Sequence, residues 1–85
     1  MPYSIAFRPA ALRALESLPQ PTRRRVRAAI DTLAYHPLPP GVKKLRVPQG
    51  WFRIRIGDYR VVYDVQHAHL VVLVVRVGHR REVYR

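Results

Sequence analysis

The chain contains no cysteine, so disulfide staples, thiolate metal ligands and cysteine nucleophiles are excluded together. Acidic residues are nearly as scarce: five Asp and Glu among 85 residues, little material for carboxylate chemistry. The four histidines, His36, His67, His69 and His79, make no recognisable metal spacing with those carboxylates, and neither a metal nor another cofactor is expected. Long apolar runs are missing too. The longest, Leu70 to Val75, is far short of the roughly 20 residues that a membrane-spanning helix needs. The N-terminal stretch from Met1 to Leu12 has no apolar segment of signal-peptide length, so a soluble, cytoplasmic protein is expected. With no internal repeat, low-complexity tract or linker, residues 1–85 read as one domain.

What the chain has in excess is positive charge. Sixteen Lys and Arg against five acids give a net charge of +11, and 14 of the 16 are arginine. Such an excess favours a polyanionic partner: nucleic acid, an acidic protein or an anionic membrane. Arginine adds information because its planar fork matches phosphate oxygens bidentately. Generic solubility, or the arginine bias of a GC-rich genome, would also account for the charge alone. Hydrophobic residues make up 48% of the chain, enough for a real core and a globular fold.

Alternation from Tyr3 to Arg8 predicts a strand. Pro9 suits the first turn of a helix, whose apolar stripe is Ala11, Leu12, Leu15 and Leu18. Pro19 and Pro21 bracket a break, and a second helix is expected to about Tyr35, facing the core through Val26, Ala29, Ile30 and Leu33. Arg23, Arg24, Arg25 and Arg27 crowd its N-terminal half, where cations oppose the helix dipole. They suit a binding face or a solvated one, and Arg27 with Asp31 forms an ordinary i,i+4 pair. His36 to Gly41 forms a Pro-rich loop, the basic segment Lys43-Lys44-Leu45-Arg46 follows, and Pro48-Gln49-Gly50 is a turn.

After Gly50 the pattern is antiparallel strands. Trp51 to Ile56 and Tyr59 to Val65 alternate, and Gly57-Asp58 suits a two-residue hairpin turn. That turn length sets the register: Ile56 opposite Tyr59, Arg55 opposite Arg60, Ile54 opposite Val61, Arg53 opposite Val62. One face becomes Phe52, Ile54, Ile56, Tyr59, Val61 and Tyr63, which covers the helices. The other gathers Arg53, Arg55 and Arg60. Like charges opposed across a strand pair are destabilising, and a structural role does not explain three arginines sharing one patch. A bound phosphate does, so these three are read as an anion site.

Leu70 to Val75, apolar on both faces, is expected to be a central strand. Gly78 permits a sharp redirection, which would fold the basic tail back over the polar face and bring His79 and Tyr84 near the arginines. Taken singly, such a His is more often a surface residue and such a Tyr a packing residue. The predicted fold is α+β: an N-terminal strand, a helical hairpin, then a three-stranded antiparallel meander.

The segment Gly50-Trp51-Phe52-Arg53-Ile54-Arg55-Ile56-Gly57-Asp58-Tyr59-Arg60-Val61-Val62-Tyr63 resembles the central hairpin signature of RelE-type toxins. Val77-Gly78-His79-Arg80-Arg81-Glu82-Val83-Tyr84 resembles their C-terminal signature. The Pro-rich loop and the order of elements are also similar, and the resemblance, specific to the RelE/ParE superfamily, runs from Tyr3 to Arg85.

The resemblance implies an endoribonuclease that enters the ribosomal A site and cuts the exposed codon. A ribose 2′-hydroxyl would attack the adjacent phosphate, leaving a 2′,3′-cyclic phosphate and a 5′-hydroxyl, with no metal. The residues matching the family's basic ring and tyrosine are Arg53, Arg55, Arg60, Arg80 and Tyr84. Arg53 and Arg55 stand where several such enzymes carry lysine. Because arginine is effectively never deprotonated, the base falls to Tyr84 or to His79, histidine being the side chain that ordinarily titrates nearest neutrality. Lys43, Lys44, Arg46, Arg23, Arg24 and Arg81 are the candidate RNA-binding residues around this centre. The implied partners are messenger RNA, the ribosome and an acidic, partly disordered antitoxin that folds over the basic face. Two other readings share the fold: a ParE-like inhibitor of DNA gyrase acting by contact, and a degenerate toxin that only binds RNA or its antitoxin.

Overall fold

In the computed structural model, which describes residues 2–79, the chain opens with strand β1 (Ser4–Phe7) and turns directly into helix α1 (Pro9–Glu16). Pro9 occupies the first turn of α1, where its missing N–H breaks no hydrogen bond. Helix α2 (Gln20–Thr32) starts after Pro19 in the same way. It ends earlier than the sequence pattern suggests. Residues 33–35 form a turn, with backbone bonds from Leu33 N–H to Ile30 and from Ala34 N–H to Asp31 in place of the regular ladder.

Strands β2 (Lys43–Lys44), β3 (Phe52–Ile56), β4 (Tyr59–Gln66) and β5 (Val71–His79) follow. They complete a five-stranded sheet in the order β1-β5-β4-β3-β2. The expected meander is β3-β4-β5, and the structure adds to it on both sides. β1 lies parallel to β5, and the short β2, within the basic segment Lys43–Arg46, lies antiparallel to β3. The hairpin register is the one that the two-residue turn dictates, from Ile56↔Tyr59 to Phe52↔Tyr63. Gly57 takes a positive φ of 59°, as a type II′ turn requires at its first central position.

Both helices cover one face of the sheet. Ala11 and Leu15 of α1, Val26 and Ile30 of α2 and Leu33 in the turn after it pack on Ile54, Val61, Tyr63, Val72, Val74 and Val77. Leu12, expected in this stripe, lies a third of a turn away from Ala11 and is instead exposed. Tyr63 is fully buried, and its hydroxyl donates a 2.6 Å hydrogen bond to the Pro37 carbonyl, which ties the Pro-rich loop to the sheet. Burial pushes the Tyr63 phenol well above its ordinary titration range.

Two details of β5 depart from expectation. Leu70 is not its first residue; it sits exposed in the left-handed region (φ 52°) after the 3-10 turn His67–His69. Gly78 does not redirect the chain, because the strand runs through it to His79 with no positive φ. Among the described residues no helix is long and apolar enough to cross a membrane.

Candidate nucleic-acid interface

The helix-free face of the sheet carries the candidate site, and alternation along the strands decides what reaches it. Ile54, Val61 and Val77 lie in one cross-strand row on the helix side. The rows on either side of them point the other way. One row is Arg55–Arg60–Gly78, and the next is Lys43–Arg53–Val62–Arg76. Neighbouring strands are spaced about 4.8 Å apart, so Arg55 and Arg60 stand side by side and Arg53 lies one row along. The three arginines singled out from the sequence do share a face. Arg55 is exposed, while Arg53 and Arg60 are half-buried.

This face is not wholly polar. Val62 and Val75 are buried on it against Leu45, Trp51 and Leu73; the Leu45 N–H donates to the Trp51 carbonyl (2.8 Å), which extends the β2–β3 pairing and puts both residues on the face of Lys43 and Arg53. A bulge in the β4–β5 ladder contributes. The pairing passes from Val62↔Arg76 to Tyr63↔Val74, so Val75 is the extra residue. Consecutive Val75 and Arg76 therefore both reach the helix-free side. The indole of Trp51 carries the Arg8 guanidinium 5.2 Å from its ring centroid. Arg8, Trp51 and Arg76 are not among the residues expected from the sequence; alternation alone puts Trp51 on the face of Arg53, whereas Arg76 beside Val75 depends on the bulge, which leaves no local sequence signal.

The remaining sequence candidates are distributed unevenly. Lys43 joins the row of Arg53. Lys44 pairs with Phe52, whose ring packs on the helix-side core, so its register position belongs to the other face. Arg46 lies exposed in the segment that follows β2. Arg23 and Arg24 do not meet the sheet arginines. They rim a groove of about 690 Å³ between the helices, with Leu12, Leu15 and Ala28 also lining it, and Arg23 donates to the Glu16 carbonyl (3.2 Å). Arg27 forms the expected pair with Asp31 at 3.1 Å. Arg25 approaches the hairpin turn, its guanidinium 3.6 Å from where a Cβ on Gly57 would sit.

His79 needs a correction. Its register partner is Tyr59, and the two rings meet edge-to-face with centroids 5.7 Å apart. Tyr59 packs against the helix-side core, so His79 lies on the face opposite Arg55 and Arg60. The expected fold-back was to bring it beside the arginines; a continuous strand places it one pleat away from them. Arg80, Arg81 and Tyr84 lie outside the described residues. Among the described residues no group of three or more His, Cys, Asp or Glu could hold a metal ion.

Two helices on one face of a five-stranded sheet and arginines on the other define a class of small basic toxins, and residues 5–84 match the family model of the ParE toxin of type II toxin–antitoxin systems, parDE. The chain belongs to this family. Toxin RelG of Mycobacterium tuberculosis is 36% identical over 90 residues, covering 100% of this chain and 99% of the relative. The archaeal RelE–RelB complex from Pyrococcus horikoshii has a similar structure, with a TM-score of 0.83 and 32% identity over 98% of this chain and 100% of that one. The toxin–antitoxin complex RelBE2 from Mycobacterium tuberculosis is similar at a TM-score of 0.80 and 34% identity, over 94% of this chain and 100% of the other. Within the superfamily, then, the chain is a RelE-type toxin of a type II toxin–antitoxin system.

Proposed function

We propose that this toxin is a ribosome-dependent endoribonuclease that cuts messenger RNA in the A site. The observation that carries the reading is the cross-strand juxtaposition of Arg55 and Arg60, with Arg53 one row along, on the open face of the sheet. Fixed guanidinium groups stabilise charge that develops on a phosphorane without any rearrangement during reaction. The 2′-oxygen forms a bond to phosphorus, the bond from phosphorus to the 5′-oxygen breaks, and the products are a 2′,3′-cyclic phosphate and a 5′-hydroxyl. No metal is needed for that charge stabilisation.

Arg60 and Arg80 are assigned to the phosphorane oxygens, and Arg53 and Arg55 to binding and orienting the phosphate. With His79 facing Tyr59, Tyr84 is the remaining candidate to exchange a proton with the 2′-hydroxyl. Lys43 extends the phosphate track toward the sheet edge. We assign the protein to the cytoplasm, where its substrate is.

The partner is a RelB-type antitoxin, since several similar structures are complexes of RelE with RelB. An acidic, partly disordered chain would fold over the basic surface, neutralising charge and burying apolar area together. The match to the ParE toxin model supports a second reading, inhibition of DNA gyrase by contact.

Primer extension on ribosomes programmed with a chosen A-site codon separates the two. A stop inside that codon with the wild-type chain, lost with Arg60→Ala or Arg80→Ala, is the expected result. An uncut message together with blocked supercoiling by gyrase would replace the nuclease reading with the second one.

A further inference from the structure

β1 accompanies β5 only as far as Val74, whose carbonyl accepts the Arg8 N–H at 2.9 Å before the chain turns away into α1. Beyond that point, among the described residues, no strand pairs with β5 on that side. A cleft of about 420 Å³ fills the place, lined by Arg8, Ala10, Ala11, Trp51 and Val75 to Gly78. Its size falls within the range of sites that take a small ligand, roughly 300–1,000 Å³. Its chemistry is two arginines and an indole, with no acidic residue in the lining.

We propose that this cleft holds one unpaired nucleotide of a single-stranded RNA, its base against the Trp51–Arg8 wall and its phosphate at Arg76. The inference rests on the reading of the chain as an RNA-directed toxin and adds to it a subsite beside the point of cleavage. Single-stranded RNA is characteristically held by stacking bases on aromatic rings and on guanidinium planes. Arg8 and Trp51 supply both, and the ring keeps the guanidinium in place by a cation–π contact. Arg76 is exposed and forms no ion pair among the described residues. It lies in the same cross-strand row as Arg53 and Lys43. Two strand spacings, about 10 Å, separate Arg76 from Arg53, so a backbone bound at the arginine pair continues directly into the cleft. An acidic peptide would satisfy the two arginines but would leave the stacking surface unused, which is why a nucleotide fits better.

Trp51 is the chain's single tryptophan, so tryptophan emission, excited at wavelengths that the five tyrosines do not absorb, reports from this cleft alone. The full chain would be titrated with a 2′-O-methyl tetra-adenylate, which lacks the attacking hydroxyl and keeps binding separate from cleavage. Strand binding would be followed in parallel by the anisotropy of a 5′-labelled copy. A saturable change in Trp51 emission is expected. Arg8→Ala and Arg76→Ala should each weaken binding about tenfold, with Trp51→Ala weakening and Trp51→Phe largely preserving the anisotropy signal. Circular dichroism of each variant establishes that it is folded.

A longer, stably paired RNA duplex, inorganic phosphate and oligo-glutamate should change emission little at matched ionic strength. The proposal fails if the strand does not bind, binds without changing Trp51 emission, or binds Arg76→Ala unchanged. It also fails if the duplex or oligo-glutamate acts equally well, the latter marking an acidic-peptide site. An uncut message on the ribosome, with the Trp51 response intact, would remove the nuclease reading and leave the nucleotide site standing.

Discussion

On the helix-covered face of the sheet, Ile54, Val61, Val72, Val74 and Val77 lie under Leu15, Val26 and Ile30, and no charged residue is buried among them. The helix-free face carries Arg53, Arg55, Arg60 and Arg76, together with a patch of Val62 and Val75 against which Leu45, Trp51 and Leu73 pack. The backbone is the same sheet, so the difference lies entirely in which residues alternate to which side. One side accumulates apolar burial, worth about 25 cal/mol for each Å² removed from water. The other accumulates like charge, which opposes folding at low salt. Stability and the proposed function are thus assigned to opposite sides of the pleat, and substitutions on the two sides should have separable effects.

The sharpest test of that separation is Ile30→Ala. Ile30 is fully buried, and its truncation should cost about 4 kcal/mol in urea unfolding, a large share of the stability of so small a domain. Any loss of cleavage should follow the unfolded fraction. Arg60→Ala should behave oppositely, lowering A-site cleavage by roughly a hundredfold, about 3 kcal/mol of activation free energy, with product appearance on programmed ribosomes as the readout.

Tyr63→Phe tests the helix side more gently. It removes the hydrogen bond to Pro37 and should cost about 1 kcal/mol. It should also change the alkaline limb of stability. The folded phenol titrates above its ordinary value of 10.0, so past pH 10 the unfolded state releases a proton that the folded state keeps. The contribution is complete below pH 10 and lost as pH rises above it. Tyr63→Phe should therefore flatten the decline seen in the wild-type urea midpoint between pH 9 and 11.

The smallest expected effect breaks the comparison most cleanly. Arg55→Ala should raise stability by a few tenths of a kcal/mol at low ionic strength, by relieving repulsion from Arg60, and the gain should vanish in high salt. A lower cleavage rate in that more stable variant would establish that the arginine pair is retained at the expense of folding.

How much of this was legible in the sequence depends on the range of each signal. The β3–β4 hairpin was read residue by residue, because a two-residue turn leaves one register, and the three arginines on its outer side followed from that. β5 was recognised as central, but its register on β4 was not, since a 3-10 turn and a bulge intervene. One pleat decides the face, and so His79 was placed on the wrong side of the sheet. Arg8 and Trp51 meet over the face of the sheet, although β5 and β4 lie between the strands that they adjoin. Neither residue carries a local mark of that encounter. Lys43 was recognised as basic, whereas its strand, two residues long, offers no periodicity to read.

The position of β5 has a further consequence, for the order in which the protein is made. β5 is synthesised last among the strands, yet it lies between β1 and β4 and contributes Arg76 and Gly78 to the arginine rows. β1 leaves the ribosome first and must wait for nearly the whole chain before its partner exists. Such sequence-distant pairing slows folding, because loop closure is opposed by entropy before any contact rewards it. A nascent chain therefore has no completed sheet, and no assembled basic face, until translation of β5 is over. For a toxin that acts on the ribosome as proposed above, that delay would keep the site unformed on the ribosome that is making it.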